Sequence, residues 1–400
     1  MIDAIEIPYG CYWSTPFARW QGSLANLPSL EFAAHTAKRE LAARDVDAQV
    51  IDYGVLGMTR PERGSFYGLP YLAGLAGLGH IGGPTVSQAC ASSVRVVLAT
   101  SQEISGGMAS CALAIACDRT SNGPHIYYPN PRGPGGYGVS EDFIMDNMAC
   151  DPLGGHAMVQ TAENIAAKYK VGTEAQHELV LRRESQYADA LADNCAFQRR
   201  YMSLPFDIPH PRFHKTVAQI VGDEGIRTSS RDELSALKPV IDGGTVTYGA
   251  QTHPADGNAG MIVTTAERAR ELSRDTAIRI RLLGFGQARA GLALMPEAPI
   301  EATARALKNA DLKIAQIDAT KTHNPFAVND IVLAQATGLD LDTMNNYGCS
   351  LIYGHPNAPT GLRGIIELIE ELVERGGGVG LFTGCAAGDT AMAVLLRVDA

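Results

Sequence analysis

Two kinds of hydrophobic spacing alternate along the first third of the chain. Gln49-Val50-Ile51-Asp52-Tyr53-Gly54-Val55-Leu56 is an apolar run of strand type, Ala91 to Glu103 carries the repeat of a helix, and Ala112-Leu113-Ala114-Ile115-Ala116 is again a strand. Such alternation predicts an α/β layered domain with a largely parallel sheet. From Ser121 to Gly155 the pattern lapses into Gly, Pro, Asn and Tyr, which predicts irregular structure. Helical spacing resumes over Ala157 to Tyr169 and Thr173 to Ala192, so the middle reads as an insertion over the first domain. After Thr264 the alternation returns: a strand at Ala277 to Phe285, a helix at Pro299 to Asn309, a strand near Ile314, and helices from Asp330 and from Gly361 to Glu374. Val379 to Thr383, a Gly-rich turn and Ala391 to Val398 then predict a strand-turn-strand hairpin, so the last third repeats the architecture of the first.

Length supports this division. A chain of 400 residues exceeds what one core usually organises, so two similar domains, or one with a large insertion, are expected. With 46% hydrophobic and 19% charged residues the composition is that of a compact globular protein. A formal net charge of -10 argues against a nucleic-acid binder, while Arg19, Arg227 and Arg363 are candidates for a local basic rim around an anionic substrate. The N-terminus lacks a signal-peptide pattern, no segment approaches membrane-spanning length, and Val398-Asp399-Ala400 is no peroxisomal address; a cytoplasmic protein is expected. Eight cysteines without a C-x-x-C pair disfavour structural zinc and a disulfide framework, so no metal is expected and most should be buried small hydrophobes.

Four segments carry candidate chemistry. Ser87-Gln88-Ala89-Cys90-Ala91-Ser92-Ser93 places Cys90 where a strand turns into a helix, whose unpaired N–H groups favour a thiolate and hold a developing oxyanion; a buried structural cysteine fits equally. Gly354-His355-Pro356 is another turn feeding a helix, where His355 is either a base for a thiol or a hydrogen-bonded turn residue. Thr383-Gly384-Cys385-Ala386-Ala387-Gly388 sets Cys385 among small residues that let a ligand near the backbone, or that merely suit a hairpin. In Lys321-Thr322-His323-Asn324-Pro325-Phe326-Ala327, His323 and Asn324 are either donors to an oxygen or, for Asn324, a helix cap ahead of Pro325.

Together these segments resemble the thiolase family in order and spacing. Thr15-Pro16-Phe17-Ala18-Arg19-Trp20-Gln21-Gly22-Ser23-Leu24 is similar to the family's opening, and His156-Ala157-Met158 with Thr161 to Asn164, Asp223 to Arg227, and Gly244 to Thr247 with Asp256-Gly257 follow further landmarks. The resemblance implies an α/β fold of two βαβαβαββ domains in a five-layered αβαβα sandwich. Residues 1–120 and 243–267 would form the N-terminal domain, 121–242 a loop domain over the coenzyme A site, and 268–400 the C-terminal domain. It also implies thiolytic cleavage of a 3-oxoacyl-CoA, or the reverse condensation. Cys90 would carry the acyl group, His355 would activate it, and Cys385 would act as acid and base. Oxyanion donors would be His355 with a water held by His323, and the amides of Cys90 and Ala387. His156, Met158, Arg227, Thr252, Asn324 and Phe326 would meet substrate or coenzyme A, which is a substrate rather than a bound cofactor. The family implies a homodimer or dimer of dimers.

Departures from the pattern keep alternatives open. His323-Asn324-Pro325-Phe326 replaces N-E-A-F or H-D-x-F, Cys385-Ala386-Ala387-Gly388 replaces C-x-G-G, and Ala116-Cys117-Asp118-Arg119 replaces a glycine-methionine-rich turn. If the Ala387 position needs glycine torsions, the added methyl strains it. Tyr127, Tyr128, Tyr137 and Phe143 hint at a bulky or aromatic acyl group, or simply pack. A 3-oxoacyl synthase or retro-aldol lyase of the same superfamily, and a subunit active only with a small zinc-ribbon/OB-fold partner, are the competing readings.

Overall fold

The computed structural model describes residues 5–400, so residues 1–4 of the range 1–120 lie outside the described residues. The first half runs through strands β1 (Ile5–Glu6), β2 (Tyr12–Ser14) and β3 (Ala18–Arg19), helix α1 (Ser29–Ala43), β4 (Tyr53–Gly57), α2 (Leu69–Ala76), β5 (Thr85–Val86), α3 (Ser92–Ser105) and β6 (Cys111–Arg119). An excursion follows: the hairpin β7 (His125–Tyr128) and β8 (Val139–Asp142), helices α4 (Met145–Ala149), α5 (Met158–Tyr169) and α6 (Thr173–Cys195), the hairpin β9 (Phe206–Pro209) and β10 (Thr216–Ile220), and α7 (Arg231–Ser235). The chain returns through β11 (Ala255–Thr265) and α8 (Ala266–Leu272). The second half holds β12 (Arg279–Arg289), α9 (Ala298–Asn309), β13 (Ala319–His323), α10 (Ala327–Thr337), α11 (Ser350–Tyr353), α12 (Ala358–Glu374), β14 (Gly377–Ala386) and β15 (Thr390–Asp399).

The strands form an 11-stranded path in the order β13-β14-β15-β12-β1-β11-β6-β4-β5, with β2 and β3 also paired to β11. Parallel pairing is confined to the two ends, β4 with β5 and β6, and β13 with β14; the middle is antiparallel. The expected largely parallel sheet is therefore corrected to a mixed one. β6 and β11 are buried on both faces, so the continuous apolar run of β6 reports double coverage, which hydrophobic spacing does not distinguish from direction. The coverage is layered, the sheet being continuous only through β1: α1 packs outside the β6 and β11 part, α3 and α12 lie against each other between that part and the β13-β14-β15-β12 part, and α9 covers β12 and β15 on the far side. This is a five-layered αβαβα sandwich.

Two local expectations shift. The strand placed near Ile314 is a short 3-10 turn at Ile314–Gln316, and the strand is Ala319–His323. Its sequence, Ala-Thr-Lys-Thr-His, looks exposed yet is wholly buried, because Lys321 Nζ donates to Gly348 O at 3.1 Å and Thr322 Oγ1 donates to Asp330 Oδ1 at 2.6 Å. Nor is Arg363 a rim cation. It lies buried on α12, donating to Asp223 at 2.6 and 2.8 Å and to Glu367 at 2.9 Å, with its guanidinium 3.7 Å from the centre of the Tyr353 ring. Asp223 belongs to the excursion, so this pair fastens it to the central layer.

Candidate active site

Cys90 sits in the turn that joins β5 to α3. Ala89 adopts φ +44°, a left-handed conformation that costs a residue with a side chain about 1–3 kcal/mol. Hydrogen bonds hold it there: Gln88 N donates to Ser92 Oγ at 2.8 Å, Ser92 Oγ donates to Ala89 O at 2.7 Å, and Ala91 N donates to Gln88 O at 3.0 Å. The turn delivers the Cys90 sulfur to the N-terminal end of α3 and towards the second half of the chain. There, Cys90 Sγ and His355 Nε2 are 3.1 Å apart, and His355 Nδ1 is 2.7 Å from Thr360 Oγ1. Thr360 fixes the ring: if Nδ1 carries the proton and donates to Thr360, Nε2 is a free acceptor for the thiol proton.

His323 ends β13 and stacks on His355, with ring centroids 4.0 Å apart and planes 25° from parallel. Its Nδ1 is 2.8 Å from Ser350 Oγ, while Nε2 is buried without a partner. The backbone of β14 passes so close that a Cβ on Gly384, paired with His323, would lie 2.7 Å from the His323 Cβ. Asn324 turns away from this space. Its side chain donates to Asp330 Oδ2 at 2.8 Å and Cys349 Sγ at 3.2 Å, and accepts from Ser350 Oγ and Leu351 N, each at 3.1 Å. Nor does it cap a helix: the N-cap position of α10 falls at Phe326, beyond Pro325, so the side chain serves as a bracket beneath His323.

Cys385 lies near the end of β14, where Asn329 Nδ2 on α10 donates to its sulfur at 3.2 Å. The backbone N–H of Ala387 lies on the Cys90 side of the turn that follows and favours the thiolate form of Cys90. Ala387 is not among the residues with positive φ; Gly388 at +79° and Asp389 at +58° take the left-handed part of the turn. The methyl group therefore brings none of the strain that replacing a glycine raises as a concern.

Burial governs the protonation states. It pushes the Cys90 thiol up to about 11, against the lowering effect of the Ala387 N–H and the Arg60 guanidinium. It also pushes His323 down to about 3 and His355 well below the usual histidine range, the latter helped by His323 and Arg60. Cys385 is raised by burial and then by charge on Cys90, so the two sulfurs feel each other. The resting site is a neutral thiol beside a neutral imidazole. Cys90, His323 and His355 offer ligand atoms within 4.8 Å of one another. A single ion would have to lie in both imidazole planes, and near-parallel stacked rings do not converge on one point; the group suits proton transfer better than metal binding.

The remaining candidates scatter around this centre. Thr252 N donates to Pro325 O at 2.8 Å and its hydroxyl to Ser350 O, which sets Thr252 and the buried Phe326 beside the His323 loop. Met158, at the start of α5, packs on the cluster that contains Phe326 and Cys385. His156 lies against Gly154, and Arg227 is exposed near His253. Tyr127, Tyr128 and Tyr137 are exposed on or beside the β7–β8 hairpin, so the hint of an aromatic acyl pocket finds no support there. Sequence reading missed Thr360, Asn329 and Ser350, which touch the reactive side chains, as well as Arg60. Of these only Thr360 had a sequence cue, its place five residues after His355 at the start of the following helix.

Comparison with known proteins agrees with fold and site. Residues 13–267 match the thiolase N-terminal domain and residues 276–398 the thiolase C-terminal domain. Acetyl-CoA acetyltransferase of Escherichia coli (strain K12) is 26% identical over 395 residues, covering 96% of each chain. The 3-ketoacyl-CoA thiolase of Aeromonas salmonicida (strain A449) is 29% identical over 441 residues, covering 96% of this chain and 95% of the relative. Among solved structures, the Bacillus anthracis acetyl-CoA acetyltransferase superposes with a TM-score of 0.90 at 23% identity over 99% of both chains. Human mitochondrial 3-ketoacyl-CoA thiolase in complex with CoA gives 0.88 at 23% identity, over 100% of this chain and 99% of that one. The chain belongs to the thiolase family and is an acyltransferase. Among the described residues no helix is long and apolar enough to cross a membrane.

Proposed function

We propose that the chain catalyses the thiolytic cleavage of a 3-oxoacyl-CoA by coenzyme A, and its reverse, through an acyl-Cys90 intermediate. In the cleavage direction the Cys90 sulfur attacks the 3-oxo carbon while its proton passes to His355 Nε2. The new oxyanion lies between the backbone amides of Cys90 and Ala387, while the protonated ring and a water held at His323 Nε2 donate to the thioester oxygen on which charge builds as C2 leaves. The bond between C2 and C3 breaks, and Cys385 protonates C2 of the departing acetyl-CoA. A coenzyme A thiol, deprotonated by Cys385, next attacks the carbonyl carbon of the acyl-Cys90, its oxyanion again lying between the amides of Cys90 and Ala387. Collapse releases the shortened acyl-CoA and returns the thiolate, which recovers its proton from His355.

The observation that carries this reading is the 3.1 Å contact between Cys90 Sγ and His355 Nε2, made across 265 residues of chain. Retention of Cys385, bonded to Asn329, favours a thiolase over a synthase of the same scaffold. Thr252, Phe326, Met158 and His156 line the approach of the pantetheine arm, and exposed Arg227 suits a phosphate.

The test is a panel of aliphatic and aromatic 3-oxoacyl-CoA thioesters, each mixed with coenzyme A and followed by loss of enolate absorbance. Turnover of at least one, abolished in Cys90→Ser, is expected. Silence across the panel, with and without a co-purified partner, would overturn the proposal.

A further inference from the structure

The backbone that carries His355 is gripped from the first half of the chain at four points. His355 N donates to His253 O at 2.9 Å, Arg60 Nη1 donates to Pro356 O at 3.4 Å, Ala358 N donates to Asp118 Oδ2 at 2.8 Å, and Ser93 Oγ donates to Ala358 O. Asn357, in their midst, is left-handed at φ +65°, and its side chain caps nothing. The first turn of α12 therefore depends on Asp118 for a carboxylate at its positive end.

Asp118 reaches that position because β6 runs on to Arg119 past the end of its parallel neighbour β4, whose last residue Gly57 lies opposite Ala116. Its carboxylate also accepts from Thr59 N at 2.9 Å, Thr59 Oγ1 at 2.6 Å and Arg60 N at 3.1 Å. Arg60 Nη1 is 3.9 Å from Asp118 Oδ2, and the two side chains are only 6% and 0% exposed. Neither is hydrogen-bonded to Cys90 or His355. A buried ion pair adds little net stability compared with apolar packing, so stability alone is a weak reason for it here.

We propose that Arg60 and Asp118 are positioning residues of the thiolase reaction: a latch that keeps His355 in register with Cys90 across the two halves and balances charge forming on the Cys90 sulfur. The proposal rests on the acyl-Cys90 reading. Register matters because a displacement of about 1 Å between reacting groups costs on the order of 100-fold in rate. Balance matters because the two buried charges act on the sulfur in opposite senses, Arg60 favouring the thiolate and Asp118 opposing it. Removing either one should therefore change thiol reactivity in opposite directions, a signature that simple loosening does not share.

Asp118→Asn keeps the shape but replaces one of two accepting oxygens with a donor, so that either Ala358 N or the Thr59 and Arg60 amides lose their partner, and it leaves Arg60 unbalanced. Its kcat should fall on the order of 100-fold at nearly unchanged KM. At fixed pH, iodoacetamide should alkylate its Cys90 faster than in the unmodified enzyme. Arg60→Gln should also lose kcat but alkylate more slowly, and Arg60→Lys should restore the alkylation rate. Variants that match the unmodified chain in thermal unfolding, kcat and alkylation overturn the latch, and so does a shift of alkylation in the same direction for both neutral variants. Should Asp118→Asn fail to fold, Arg60→Gln against Arg60→Lys decides. Alkylation needs no acyl-CoA, so silence of the unmodified enzyme towards every thioester would sink the proposed function while leaving the alkylation arms valid for the latch.

Discussion

His323 and His355 stack with ring centroids 4.0 Å apart in a buried site, so a proton on one ring opposes a proton on the other. Both are neutral when folded, with His323 held at about 3 against an ordinary 6.5 and His355 also depressed. The unfolded chain takes up these protons below about pH 6.5, whereas the folded chain does not. Stability conferred by the neutral pair is thus intact above that pH and is lost as pH falls towards the folded values. Each histidine contributes a slope of about 1.4 kcal/mol per pH unit, and the two together about 2.7. Urea unfolding between about pH 6.5 and 5 should show a drop of this order, halved in His323→Gln. A stability flat over that interval would refute the burial argument.

Cys90 rests as a thiol held up at about 11. In the free enzyme its alkylation by iodoacetamide should therefore quicken about tenfold per pH unit from neutrality to about pH 10, because the thiolate is the reactive form. A plateau near neutrality would reveal a standing thiolate–imidazolium pair and a different resting state.

Asn329 holds the Cys385 sulfur at 3.2 Å. Hydrogen bonds to charged groups are worth about 1.5–3 kcal/mol, so Asn329→Ala should lower kcat by roughly 10- to 100-fold through the thiolate form of Cys385. Cys90 alkylation should be unaffected. Equal slowing of both would assign Asn329 to the architecture of the pocket instead.

The small residues of the second cysteine loop should not be interchangeable. Gly384→Ala places a methyl 2.7 Å from the His323 Cβ, and overpacking of this kind costs about 1–3 kcal/mol. Ala387→Gly asks nothing new of the folded backbone and should cost no more than about 1 kcal/mol, through the freer unfolded chain. Thermal unfolding and kcat of the two variants check the contrast; a harmless Gly384→Ala would disprove the tight approach of β14 to His323.

Removing Arg363 takes the paired cation from buried Asp223 and leaves Glu367 to Lys321 alone, and breaking a buried pair from one side typically costs about 3–5 kcal/mol. Arg363→Met should lower the unfolding midpoint and loosen the excursion, seen as faster proteolysis between residues 121 and 242. Unchanged proteolysis would deny it that fastening role.

The elements with strong apolar periodicity were legible without coordinates: α3, α9 and α12 fall where the spacing puts them, within a few residues. β13 was not, and the strand was placed near Ile314 instead, because Thr320, Lys321, Thr322 and His323 lack an apolar pattern and are buried only with Asp330, Asn345 and Gly348 to satisfy them. Arg363 was misread for the same reason, its charge being matched by Asp223 from a segment 140 residues away. The irregular character read from Ser121 to Gly155 hid the β7–β8 hairpin, whose strands are exposed and lack an apolar face.

By itself the sequence determined which residue types were on offer and on what local frame: a cysteine at a strand-to-helix turn, a histidine before a helix, a second cysteine among small residues. Those are near-neighbour properties, set by backbone torsions and hydrophobic spacing. Only the tertiary structure decided that Thr360 orients His355, that Asn329 holds Cys385, that Asn324 faces inward, and that Arg60 and Asp118 grip the start of α12. Apart from the Thr360 contact, these join side chains from separate segments in a buried space, where a polar group is satisfied by partners that local spacing does not reveal.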